Sequence, residues 1–133
     1  MPATDYTAHL IGDAIANGTA YQGPATVFLA LTTTVPTAAV VGTEVTLGGY
    51  LRVSFAQSGW TNNGAGGLTN TADIAFPEAT ANYDADVVAV QAYDDDGVPV
   101  GNDLWWIELT TPKTVLAGQT PKFLAGDLVL SVI

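Results

Sequence analysis

The sequence contains no cysteine. That excludes a disulfide framework, a thiolate metal site and a thiol nucleophile. Histidine occurs once, as His9. No serine or acid motif frames it, so the signatures of a catalytic triad or a histidine-based metal site are missing. Cations are almost as scarce: Arg52, Lys113 and Lys122 stand against 13 acids, for a formal net charge of −10. Three scattered bases cannot neutralise a run of phosphates, which excludes nucleic acid as a partner and also argues against an anionic membrane surface. No apolar run approaches the roughly 18 residues of a membrane span. The first residues, Met1 to Asp5, lack the basic and apolar regions of a secretory leader. The chain is therefore expected to be made in a cytoplasm and not exported by a cleaved leader.

What is present fits a packed domain. The 133 residues are the length of one ordinary domain, expected to span 1–133. Apolar residues make up 48% of the chain, which excludes disorder, and charged residues only 12%, about half the usual ~25%. A surface of Thr, Asn and Gly, with few Lys or Glu, is common in extracellular and virion β-proteins.

One helix is predicted, over residues 5–17. Tyr6, Leu10, Ile11, Ala14 and Ile15 recur at helical spacing, Thr4 or Asp5 caps the start, and Gly18 supplies a left-handed end. About a dozen residues form a marginal helix alone, so its apolar face must dock on the sheet or on a neighbour. Beyond Pro24 the pattern turns to β. Strands are expected at 26–32, 50–56, 72–76, 86–93, 98–100, 104–109, 114–116, 122–124 and 128–133, with a short one near 44–47. In the 50–56 run, Leu51, Val53 and Phe55 should share one face, with Tyr50, Arg52 and Ser54 on the other. Residues 33–49 and 57–70 read as loops or a broad hairpin, and Asp96-Gly97 as a tight hairpin turn. The fold class is mainly β, an antiparallel sandwich of about eight strands with one short N-terminal helix.

Residues that invite a chemical reading are few. Asp94, Asp95 and Asp96 resemble the start of a calcium loop, but Trp105 stands where the closing Glu should be, so a solvated acidic turn without metal is expected. Trp105 and Trp106 could stack a sugar. Neighbours on a strand point to opposite faces, so one should enter the core and the other meet solvent, a loop or another subunit. Trp60, between Gly59 and Thr61, should pin its loop. The 13 acids always permit a glycosidase-like pair, so that reading carries no information. Phosphate-loop, dinucleotide and nucleophile-elbow motifs are absent. No catalytic residue, cofactor or metal is expected.

Several ordered segments carry a resemblance. They are Asn17-Gly18-Thr19-Ala20-Tyr21 followed by Pro24 and Thr26-Val27-Phe28-Leu29-Ala30-Leu31-Thr32, then Glu44 before Gly48-Gly49-Tyr50-Leu51-Arg52-Val53, then Asn70-Thr71-Ala72-Asp73-Ile74-Ala75-Phe76-Pro77, Pro112-Lys113 and Phe123-Leu124-Ala125-Gly126-Asp127-Leu128. Together they resemble a family of small β-sandwich structural proteins of tailed-phage virions, capsid decoration or tail-fibre-like. The resemblance implies a virion location and a non-enzymatic role. Its first form is a capsid decoration or cement protein that binds the major capsid protein, as a dimer or trimer, and stabilises the assembled shell by mass action and avidity. Its second form is a tail or tail-fibre component involved in host attachment, although a fibre usually needs a shaft built from repeats and none is present. A stand-alone carbohydrate-binding or hydrolytic module is the remaining class, without a residue constellation to support it. The candidate partner interface is Tyr6, Leu10 and Ile15 of the helix with Trp105 and Trp106.

Overall fold

A computed structural model describes residues 3–20, 23–24, 26–62, 64, 67–98 and 100–131. It contains a 13-residue helix and, among the described residues, nine strands, all paired antiparallel. The helix α1 (Asp5–Asn17) starts where the sequence signals place it. The Thr4 hydroxyl accepts from the Thr7 amide at 3.3 Å, and Gly18 closes the helix at φ 66°.

The main sheet has the order β2-β1-β6-β7, from β1 (Thr26–Thr32), β2 (Val53–Ala56), β6 (Val87–Tyr93) and β7 (Asp103–Lys113). A second sheet has the order β3-β4-β9, from β3 (Trp60–Asn62), β4 (Gly67–Asn70) and β9 (Val129–Ser131). A third pairs β5 (Ile74–Ala75) with β8 (Lys122–Phe123). Alternation sorts the main sheet into two faces. Leu29, Leu31, Val90 and Ala92 face one way and share a single core cluster with Ile74, Phe76, Phe123 and Leu128 from the smaller sheets and their loops. Ala30, Thr32, Ala89 and Gln91 face the other way and are also fully buried. Their cover is α1 and the 33–49 segment. The Asp5 amide donates to the Ala38 carbonyl at 2.8 Å, and the Gly42 amide to Gln91 Oε1 at 3.0 Å. The main sheet is thus buried on both faces, which accounts for the nearly continuous apolar run of β1.

Several sequence expectations change. Residues 44–47 form no strand, only one bridge between Glu44 and Thr32. In place of the expected strand at 98–100, Val98 and Val100 lie in a turn in which the Val100 amide donates to the Gly97 carbonyl, and Pro99 lies outside the described residues. The 114–116 segment is loop, while β7 runs on through Pro112. It does so at the edge of the sheet, where a missing N–H costs no ladder bond. Its register against β6 slips, with Ala89 opposite Glu108 but Val87 opposite Lys113. The 50–56 run enters its strand only at Val53, after Gly48 and Gly49 at φ 70° and 71°. Val53 and Phe55 do face the core, but Leu51 is 62% exposed, and Tyr50 turns into the core instead. The last strand stops within the described residues at Ser131, and Val132 and Ile133 lie outside them.

Candidate docking face

The helix meets the sheet by a narrow stripe. Thr7 is buried and Leu10, Ile11 and Ala14 are half-buried, whereas Tyr6 is exposed and Ile15 is 80% exposed. Tyr6 and Ile15 therefore flank the docked stripe and are left to solvent. His9 is also on the outside, 3.5 Å from Asp13 one turn on.

The two tryptophans part company, as strand alternation requires. Trp105 pairs across from Ala92 on the core side and packs edge-on to Trp60 at 5.3 Å, which in turn packs edge-on to Phe55 at 5.3 Å. These three rings tie the main sheet to the β3-β4-β9 sheet, and Trp60 does pin its segment. Trp106 pairs across from Gln91 and lies on the helix side, half-buried. Of the five expected interface residues, Tyr6, Ile15 and Trp106 share the helix side, Leu10 is partly used in holding the helix, and Trp105 is spent between sheets.

The acidic turn is held by its own side chains. Asp94 Oδ1 accepts the Asn102 amide at 2.7 Å, Asp94 Oδ2 accepts Asn102 Nδ2 at 2.9 Å, and Asp95 Oδ1 accepts the Gly97 amide at 2.8 Å. Among the described residues no three acids or histidines gather to hold a metal ion.

Behind this turn lies a buried charge network that sequence reading missed. Arg52 Nε donates to Glu44 Oε2 at 2.9 Å and Nη2 to Oε1 at 2.8 Å. Its Nη1 donates to the carbonyls of Asp95 and Val100 at 2.8 and 2.7 Å, and its carbon centre lies 3.7 Å from the Tyr93 ring centroid. Tyr50 donates its hydroxyl to Glu44 Oε2 at 2.7 Å and accepts the Leu31 amide at 2.9 Å. Burial, reinforced by the Glu44 charge, raises the Tyr50 phenol far above its ordinary range and pushes Tyr93 up to about 12. For Arg52, burial pulls down, but the bonds and charge of Glu44 outweigh it and the net direction is upward. A sole arginine inside a β-branched run, eight residues after a lone glutamate, was the available signal. Its partner in space was not readable.

Between this network and solvent runs a groove of about 450 Å³, lined by Val41, Gly42, Thr43, Glu44, Thr46, Tyr93 and Val98. Val40, Val41, Val98 and Val100 are exposed around it.

A family model described as podophage GP4 fiber I protein gp80 matches residues 2–131. The chain belongs to this family. It is accordingly a structural component of a phage virion, as the sequence resemblance implied. No curated protein matches it. Within the fiber I family frame, nearly the whole described fold is covered by the match, the helix and the valine-rimmed groove included. The acidic turn at Asp94 to Asp96 lies inside the matched span as well.

Proposed function

We propose that the chain is a non-catalytic fibre component fixed to a podophage particle through its helix-side layer, acting as one domain in contact with other virion proteins. The observation that carries this reading is the distribution of exposed apolar side chains. Of the twelve large ones among the described residues, seven lie on the helix, on the segment from 35 to 41 or on the β6–β7 turn, and five elsewhere. Exposed apolar side chains concentrated on one side of a small protein suggest a contact face. The fiber I description of the family favours a tail-fibre role. A second reading, a shell-bound decoration protein on the major capsid protein, is favoured by the single core cluster and the absence of any repeat, since a fibre shaft is usually repetitive. Both readings use the same face, and both suit a dimer or trimer assembled after synthesis in the host.

The test is localisation. Imaging of intact particles with and without the chain should reveal its density at the tail fibres. Density on the capsid lattice instead would establish the decoration role and overturn the fibre reading.

A further inference from the structure

Buried ion pairs rarely add stability, because removing two charges from water offsets most of their attraction. The Glu44–Arg52 pair has side chains only 5% and 0% exposed, yet it sits at the protein's edge and not at its centre of packing. Its placement suggests what it secures. Glu44 belongs to the 41–46 segment, which forms one wall of the valine-rimmed groove. Arg52 is bound to that Glu44 and at the same time grips the carbonyls of Asp95 and Val100, which bracket Val98 on the opposite wall. Gln91 holds the Gly42 amide from below, and the Tyr93 hydroxyl donates to the same Gln91 oxygen at 3.2 Å. Both walls are therefore fixed in register before anything enters, the condition under which a groove binds with least loss of freedom.

We propose that this groove is a preorganised docking site for a basic, apolar segment of another virion protein. The proposal rests on the virion reading above and names the face and the partner's chemistry. The apolar requirement comes from Val41 and Val98 in the lining. The basic requirement comes from charge. Glu44 is neutralised by Arg52, but Asp94, Asp95, Asp96 and Asp103 surround that end of the molecule. The two remaining cations lie at the far end of the β6–β7 pair, where Lys113 sits over the Phe123 ring beside Lys122. The local field and the net charge of −10 have the same sign, so both steer a cationic segment inward. A second copy of this chain would bring the same negative charge to the contact and is repelled.

The test uses the full chain in assembled particles, with Val98 replaced by the photo-reactive residue benzoylphenylalanine. Irradiation should give an adduct to a different virion protein, at a peptide of net positive charge. Val41→Asp in the same chain should reduce that adduct about tenfold or more, the equivalent of about 1.4 kcal/mol, with the unfolding midpoint unchanged because Val41 is exposed. Glu44→Leu with Arg52→Met, which replaces the pair by apolar groups, should keep the fold and also lower the adduct. Adducts only between copies of this chain, an acidic target peptide, or an adduct indifferent to Val41→Asp would overturn the proposal while leaving the virion role intact. Absence of the chain from purified particles would overturn the virion role itself.

Discussion

Arg52 and Glu44 meet side-on, nitrogen to oxygen at 2.9 and 2.8 Å, inside a protein that has only one arginine. Each nitrogen of Arg52, both carboxylate oxygens of Glu44 and the hydroxyls of Tyr50 and Tyr93 make at least one hydrogen bond within the protein. Removing Glu44 alone should be worse than removing both. Glu44→Ala strands the guanidinium and should destabilise the fold by about 3–5 kcal/mol, whereas Glu44→Leu with Arg52→Met should lose less, its remaining cost coming from the Tyr50 hydroxyl and the Asp95 and Val100 carbonyls that lose these partners. Urea unfolding of the three proteins checks this. Equal losses for the single and double variants would contradict it.

Stability should fall at high pH. The phenols of Tyr50, Tyr83 and Tyr93 are all raised by burial, which pushes Tyr93 up from an ordinary 10.0 to about 12. Below pH 10 both folded and unfolded chains hold these protons, and the contribution is fully present. Above it the unfolded chain releases them while the folded chain does not, so stability drops as pH rises from 10 toward 12. Ultraviolet titration should show these three of the five tyrosines ionising only as the fold is lost.

Asn70 should be irreplaceable despite its ordinary chemistry. Its Nδ2 donates to the carbonyls of Ala72 and Leu124, both at 2.9 Å, and its Oδ1 accepts the Leu128 amide at 3.0 Å. It is buried and ties its own turn to the 124–128 turn. Asn70→Leu leaves these backbone groups without their side-chain partner, at about 1–3 kcal/mol for each one left unsatisfied and buried. Thermal unfolding should show a large drop in midpoint. Amide exchange at Leu128 should accelerate.

The helix separates folding from attachment. Leu10→Asp forces a carboxylate into the half-buried stripe and should lower stability, whereas Ile15→Asp, at 80% exposure, should leave the unfolding midpoint unchanged. In particles, Ile15→Asp should nonetheless reduce the number of copies retained. Retention equal to wild type would remove the helix flank from the contact face.

Attachment through apolar surface should resist salt. Exposed ion pairs contribute about 0–1 kcal/mol each, against roughly 25 cal/mol per Å² of buried apolar area. Particles washed at about 0.5 M salt, where the Debye length is roughly 4 Å, should keep most copies even though capture becomes slower. Release of most copies there would mean that charge dominates.

Local signals carried much of the fold. Thr4 and Gly18 bound the helix as their chemistry demands, and the β-branched runs at 26–32 and 86–93 became β1 and β6 almost residue for residue. Where the sequence misled, a long-range partner decided the outcome. Val98 and Val100 have strand-like side chains, but Arg52, more than forty residues away, bonds the Val100 carbonyl and bends the segment into a turn. Alternation sets Tyr50 on the face opposite Val53 and Phe55, yet it enters the core and stacks on Phe76 at 6.2 Å, because two left-handed glycines precede it. The groove was illegible for the same reason. Its walls come from residues 41–46 and 98, brought together by a buried contact that leaves no periodic trace.

The slipped register of β7 has a consequence for how this protein can meet its neighbours. Past Glu108 the strand is out of step with its neighbour, carries Pro112, which lacks a donor, and ends in the charge of Lys113. Such an edge offers no regular ladder for a strand of another copy to continue, and near its start Ala3 already occupies the position beside Trp105. Molecules crowded shoulder to shoulder on a particle can therefore touch along this border without zipping into one another's sheets.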